Sequence, residues 1–165
     1  FEQWEEADSV RFDLLLKGGG SENQSAQYSL PHGGLKAGRD LEGVKRVILD
    51  AVVNAQGQGC GPSLLGVCIG GDRATSYSLA KKQHLRPLAD RNPDPVLASM
   101  EEEITQKANA LGVGPMGFGG ATTVLATKIT KAHRLPASFY VSISYMCWAS
   151  RQAGMSVKGG RVAHD

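Results

Sequence analysis

Residues 41–74 read LEGVKRVILDAVVNAQGQGCGPSLLGVCIGGDRA. Leu41, Val44, Val47, Ile48 and Val52 recur at the three- and four-residue spacing of one helix face. Asp40 stands where a carboxylate accepts from the first free amides of that helix. The run Gly57-Gln58-Gly59-Cys60-Gly61-Pro62 cannot continue it, because glycine and proline break the helical backbone. Residues 64–69 (LLGVCI) are apolar without alternation and too few for a helix, which is the pattern of a strand buried on both faces. Gly70-Gly71-Asp72 closes the strand, and residues 74–83 read as a second helix. Helix, glycine loop, buried strand, glycine turn and helix together indicate an α/β arrangement.

Outward from this unit, residues 91–95 form a turn and residues 96–111 a helix, with Glu101, Glu102 and Glu103 expected on or near its solvent face. A second glycine loop spans residues 112–120. Residues 122–129 and 138–146 are rich in β-branched or aromatic side chains and read as strands. Residues 10–16 (VRFDLLL) form another strand, followed by a sharp loop over 17–23 and a polar surface loop over 24–38. Residues 148–153 read as the start of a helix, and residues 156–165 carry no clear pattern. Neither an internal repeat nor a linker divides the chain. The expected fold is a single α/β domain, a mixed β-sheet layered with helices, with α+β as the alternative.

The 165 residues suffice for one hydrophobic core, and 41% apolar and 21% charged residues are ordinary for a globular protein. A formal net charge of +2 without a basic run argues against nucleic acid or a membrane surface as partner. No apolar stretch approaches the length of about 20 residues that spans a bilayer. The first residue is not Met, and acidic residues lead directly into the first strand, so upstream sequence is expected. The three cysteines are an odd number, which disfavours a disulfide framework, and show no CxxC spacing, which disfavours zinc ribbons and fingers. The 21 glycines cluster beside structured segments, where backbone can approach a ligand closely.

Cys60, flanked by glycines and followed by proline, sits at an uncrowded turn and suits a thiolate ligand. Cys147, at the end of a strand and before Trp148, reads either as core or as a ligand reaching into a cleft. Cys68, enclosed by LLGVCIGG, reads as core packing. Lys17, Asp72 and Arg73 border glycine turns and read as ion-pair residues or as groups that stand behind the residues of the site.

Four stretches in order carry a family resemblance: KGGGSEN (17–23), GCGPSLLGVCIGGDRA (59–74), LGVGPMGFGG (111–120) and HRLPASFYVSISYMCWASR (133–151). Together they resemble the class I, oxygen-sensitive fumarate hydratases and the related L-tartrate dehydratases. The resemblance implies a [4Fe–4S] cluster held by three cysteines, with one open iron that acts as a Lewis acid on a C4 dicarboxylate. Cys60 matches the middle ligand and Cys147 the last. The first ligand of the family lies upstream of KGGGSEN and has no counterpart here. Position 68 is usually glycine in similar sequences, so Cys68 is not assigned to the cluster.

The resemblance places Gly20, Ser21 and Asn23 beside substrate. It places a histidine shortly before the last cysteine, where the matching spacing falls nearer Leu135 and His133 matches only loosely. Residues 1–165 then form the C-terminal portion of the iron–sulfur α domain. A β subunit or C-terminal domain carries further catalytic groups, the assembly is a homo- or hetero-oligomer, and the fragment alone is inactive. The expected location is the reducing cytoplasm. Other readings are a tartrate or mesaconate-type hydratase, a non-catalytic Fe–S module, and a structural domain with buried cysteines.

Overall fold

The computed structural model describes residues 8–165. The helix expected at the start of the quoted stretch is α2 (Leu41–Ala55), the longest element preceding the first cysteine. Asp40 caps it by accepting from the Gly43 amide at 2.7 Å, and Val44, Val47, Ile48, Ala51 and Val52 form its buried face. The buried strand follows as β3 (Ser63–Ile69), all of whose residues are buried.

Four strands form the main sheet, in the order β2 (Ala26–Ser29), β5 (Tyr140–Met146), β3 and β4 (Val124–Lys131). β3 runs parallel to β4 and antiparallel to β5, so the sheet is mixed. One face meets α2 and α4 (Pro95–Ala110), where Leu65, Val67, Ile69 and Ile143 join Val47, Ile48, Met100 and Ile104 in the core. The other face lies under α3 (Arg73–Lys82). There Gly66 admits the helix backbone, since a Cβ at that position would overlap the Ala80 carbonyl. The fold is α/β, as the pattern of elements predicts. Among the described residues, no helix is long and apolar enough to cross a membrane.

α4 also corrects an expectation. Glu101 is 7% exposed and does not face solvent. Its Oε1 accepts from the Ile129 amide at 2.6 Å, from Asn92 Nδ2 at 2.8 Å and from Arg86 Nη1 at 2.8 Å. Thr105 Oγ1 accepts from the Thr127 amide at 3.1 Å, and Asn109 Oδ1 accepts from the Thr123 and Val124 amides, both at 2.8 Å. Residues 101, 105 and 109 stand one turn apart, and β4 is an edge strand whose outward amides meet no further strand among the described residues. A polar helix stripe that periodicity assigns to water therefore seals a sheet edge instead.

Three further segments differ from expectation. The 17–23 loop contains a five-residue helix, α1 (Gly19–Asn23). The 24–38 loop contains β2, which pairs with β5 from Ala26↔Ile143 to Ser29↔Tyr140. The helix expected over 148–153 is absent. The chain enters β6 (Arg151–Lys158), which pairs antiparallel with β1 (Ser9–Leu16) along its whole length and then with β7 (Arg161–His164). Distant pairing overrides local helical preference here, because β6 finds its partner near the other end of the sequence.

Candidate functional site

At one end of the main sheet β3 and β4 begin and β5 ends. The topology therefore delivers three connections to one place: the 57–62 loop, the 112–120 loop and the exit of β5 at Cys147. The Trp148 amide donates to the Cys60 carbonyl at 3.5 Å, which joins the two cysteine-bearing segments directly. The Met116 amide donates to the Gly61 carbonyl at 3.2 Å, which adds the second glycine loop. Gly57 is required at this crossing, since a Cβ there would overlap the Met116 carbonyl. The cysteine loop also carries strain. Cys60 has φ +55°, a left-handed conformation that non-glycine residues rarely adopt and that tends to be retained at functional positions.

α1 packs against the same loop. Gln24 Nε2 donates to Gln58 Oε1 at 3.1 Å, and a Cβ at Gly20 would lie 3.8 Å from the Gln58 carbonyl oxygen. Of the residues expected beside substrate, Ser21 is buried, while Gly20 and Asn23 are exposed on this short helix. Lys17, at the end of β1, ion-pairs with Glu22 Oε2 at 2.6 Å, and Lys81 of α3 takes Glu22 Oε1 at 2.6 Å. Burial alone would raise the Glu22 carboxyl, but hydrogen bonds and charge from both lysines outweigh it and bring its pKa to about 2. Lys17 is shifted downward, chiefly by burial, against the opposing pull of Glu22.

Sequence reasoning did not single out His84. It is 4% exposed, and its Nε2 lies 3.0 Å from Ser144 Oγ, beneath α3. Burial first, and the nearby Lys17 charge second, lower its pKa to about 4, so the ring is neutral at pH 7. It borders a cavity of about 230 Å³ that Leu64, Leu88, Trp148, Ser150 and Gln152 also line, next to the Cys147 exit. No spacing in the chain marks this histidine, because its partner Ser144 stands on β5, 60 positions away in sequence.

Cys60 and Cys147 are half-buried free thiols, while Cys68 is fully buried. Burial pushes the Cys68 thiol up, against a hydrogen bond with Ser76. Cys68 pairs in register with Ser142 and Thr130, near the far end of β3, away from the other two cysteines. The donor set fits a thiophilic group: two soft, partly exposed sulfurs stand on backbone segments that touch. Among the described residues, no group of three or more His, Cys, Asp or Glu side chains could hold a metal ion. Among the described residues, Cys60 and Cys147 therefore do not belong to a closed tetrahedral zinc site.

His133 is not brought to these cysteines. Its carbonyl accepts from the Gly71 amide at 3.1 Å, at the other end of β3, about 20 Å away at the usual rise per strand residue. It lines an open cavity of about 780 Å³ with Arg73, Arg134, Leu135 and Tyr140. Arg73 stacks over the Tyr140 ring at 4.5 Å, and Asp72 caps α3 by accepting from the Ala74 and Thr75 amides.

The family model described as fumarate hydratase (Fumerase) matches residues 1–156. A Geobacillus stearothermophilus protein provisionally named a class I fumarate hydratase is 52% identical over 160 residues, which is 95% of this chain and 31% of that protein. A Methanocaldococcus jannaschii protein provisionally named L(+)-tartrate dehydratase subunit alpha is 40% identical over 142 residues, 86% of this chain and 48% of that protein. The Escherichia coli K12 L(+)-tartrate dehydratase subunit alpha is 30% identical over 151 residues, 91% of this chain and 48% of that subunit. The chain spans 31% to 48% of the length of these relatives. With the match running through both cysteine loops and both glycine loops, the chain belongs to the fumarate hydratase (Fumerase) family.

Proposed function

We propose that the chain is part of a [4Fe–4S]-dependent hydro-lyase that hydrates fumarate reversibly to L-malate. The observation that carries this reading is the contact of the Cys60 and Cys147 segments through the Trp148 amide, where the 112–120 glycine loop also meets the 57–62 loop. Cys60 and Cys147 would each give a thiolate to the cluster. The third thiolate is expected from sequence upstream of KGGGSEN. When bound, the cluster supplies a Lewis-acid iron toward the substrate's oxygen atoms.

This chain's own residues then have limited tasks. Gly20, Ser21 and Asn23 border the dicarboxylate from α1, and Trp148 shields the Cys147 side of the site. His133 would serve a substrate only through a contact made at the other end of the sheet. The net reaction adds hydroxide to one alkene carbon and a proton to its neighbour, and the groups that move that proton are assigned to the remainder of the enzyme. A β subunit, or an equivalent C-terminal domain, supplies them, in keeping with the α-subunit names of the tartrate dehydratase relatives. The assembly is a homo- or hetero-oligomer, and residues 1–165 are the C-terminal portion of its α domain, inactive alone. An oxygen-labile cluster places the enzyme in the cytoplasm.

L-tartrate dehydration is the second reading, supported by the identity to two tartrate dehydratase α chains. The test is anaerobic reconstitution of the whole gene product with its partner, followed by assays on fumarate, L-tartrate and mesaconate. The proposal expects iron-dependent turnover of fumarate without net electron transfer. A bound cluster that cycles reversibly between oxidation states and turns over none of the three would replace it with an electron-transfer module.

A further inference from the structure

Among the described residues, the Lys17, Glu22 and Lys81 group carries one more positive than negative charge in a half-buried place. Glu22 holds one lysine on each carboxylate oxygen, both at 2.6 Å. Two ammonium groups therefore share one carboxylate. The Lys17 side chain is only 11% exposed, so water does little to screen it. Lys81 is more exposed and is further occupied by the Tyr77 ring at 4.9 Å. A desolvated surplus charge of this kind is costly unless an anion stands nearby.

The fold shows which direction that anion lies. Lys17 Nζ donates to Ser25 Oγ at 3.4 Å, and the same Oγ accepts from the Tyr145 amide at 3.1 Å. The ammonium is thereby tied to the last turn of β5, two residues before Cys147, which lies within its electrostatic reach. Among the described residues, no other charged group is tied to that stretch of β5 by the contacts of Ser25. His84, which borders the same space, is neutral at pH 7 and adds no charge.

We propose that Lys17 is a positioning residue for the iron–sulfur group: its ammonium, anchored by Glu22 and Ser25, compensates the negative charge of the thiolate-bound centre at Cys147 and retains it. The inference rests on the proposed cluster at Cys60 and Cys147. It assigns to the lysine that opens KGGGSEN a task distinct from the substrate contacts expected of Gly20, Ser21 and Asn23. Partners outside the ligand sphere commonly change metal affinity by about 10–100-fold when removed.

Lys17→Met and Glu22→Gln break the same ion pair but change the local charge in opposite directions. That contrast separates electrostatic compensation from a merely structural tether. The whole gene product, with its partner subunit, is reconstituted anaerobically as wild type, Lys17→Met, Lys17→Arg and Glu22→Gln. The rate of iron and sulfide loss to a chelator is followed by cluster absorbance. Lys17→Met is expected to lose its cluster about tenfold faster or more, Lys17→Arg to stay within about threefold of wild type, and Glu22→Gln to retain it at least as well as wild type. Equal acceleration by Lys17→Met and Glu22→Gln overturns the proposal in favour of a tether for α1. Unchanged retention in Lys17→Met with a raised KM for the dicarboxylate overturns it in favour of substrate binding. A wild type that takes up no iron instead defeats the underlying cluster assignment, and that outcome is visible before any variant is compared.

Discussion

Replacing Glu101 with alanine should destabilise the domain far more than any change at the neighbouring Glu102. The carboxylate is 7% exposed and gathers three donors on one oxygen: the Ile129 amide at 2.6 Å, Asn92 Nδ2 at 2.8 Å and Arg86 Nη1 at 2.8 Å. Truncation orphans the Ile129 amide, which faces outward from the edge strand, at about 1–3 kcal/mol for a buried unpaired donor. Asn92 keeps a bond to the Ile129 carbonyl at 2.8 Å, and Arg86 keeps Asp90 at 2.8 Å, so each is only partly deprived. Together they add about 1–2 kcal/mol, giving a total near 2–5 kcal/mol. That is a large share of a typical domain's stability of about 5–15 kcal/mol. With a urea slope near 2 kcal/mol/M, the unfolding midpoint should fall by about 1–2.5 M. Glu101→Gln keeps one acceptor oxygen and should cost about half as much. Glu102, with its side chain 64% exposed, should tolerate alanine within about 0.5 kcal/mol. Urea melts of the three variants that superimpose would refute the edge-sealing role of α4.

His84 predicts a specific acid sensitivity. Its folded pKa of about 4 lies below the unfolded value of 6.5, so the unfolded state takes the proton first as pH falls. Stability is therefore fully present above pH 6.5 and drains away between 6.5 and about 4, by about 3 kcal/mol in all, whereas the contribution of Glu22 is intact above pH 4.5 and is lost only between 4.5 and about 2. A His84→Gln variant should lack this component of the pH–stability curve, and a wild-type curve that stays flat from pH 6.5 to 4.5 would speak against a buried neutral ring. Cys68→Ala should cost about 1 kcal/mol in a thermal melt and leave the iron and sulfide content of the reconstituted protein unchanged, because Cys68 lies in the core and away from the other cysteines. Gly57→Val should disrupt the crossing of the two glycine loops and lower cluster uptake several-fold while β3 and α2 keep their far-ultraviolet signature.

The central helix–loop–strand unit was legible because its residues obey local rules that the tertiary structure does not contradict. Asp40 caps α2, the apolar face of α2 meets the sheet, and LLGVCI is buried on both sides. The failures have a common physical cause. Glu101 and residues 151–158 take their conformation or burial from partners distant in sequence, an exposed strand edge in one case and β1 in the other. Nothing in the local spacing of Ala26–Ser29 marks β2, which exists because β5 offers it an edge. The approach of Cys60 to Cys147 was expected only from family resemblance. Topology explains the contact, since an antiparallel β5 must end where β3 begins. The same register carries the loop of His133 to the opposite end, which no sequence spacing could have shown.

The most direct test of the account is the iron and acid-labile sulfide content of the anaerobically reconstituted gene product, measured for wild type, Cys60→Ala, Cys147→Ala and the double variant. If the two thiols hold one shared centre, each single variant should lose most of the iron and sulfide, and the double variant should lose little more. Near-full iron and sulfide in either single variant, with unchanged spectra, would contradict a cluster held jointly by Cys60 and Cys147.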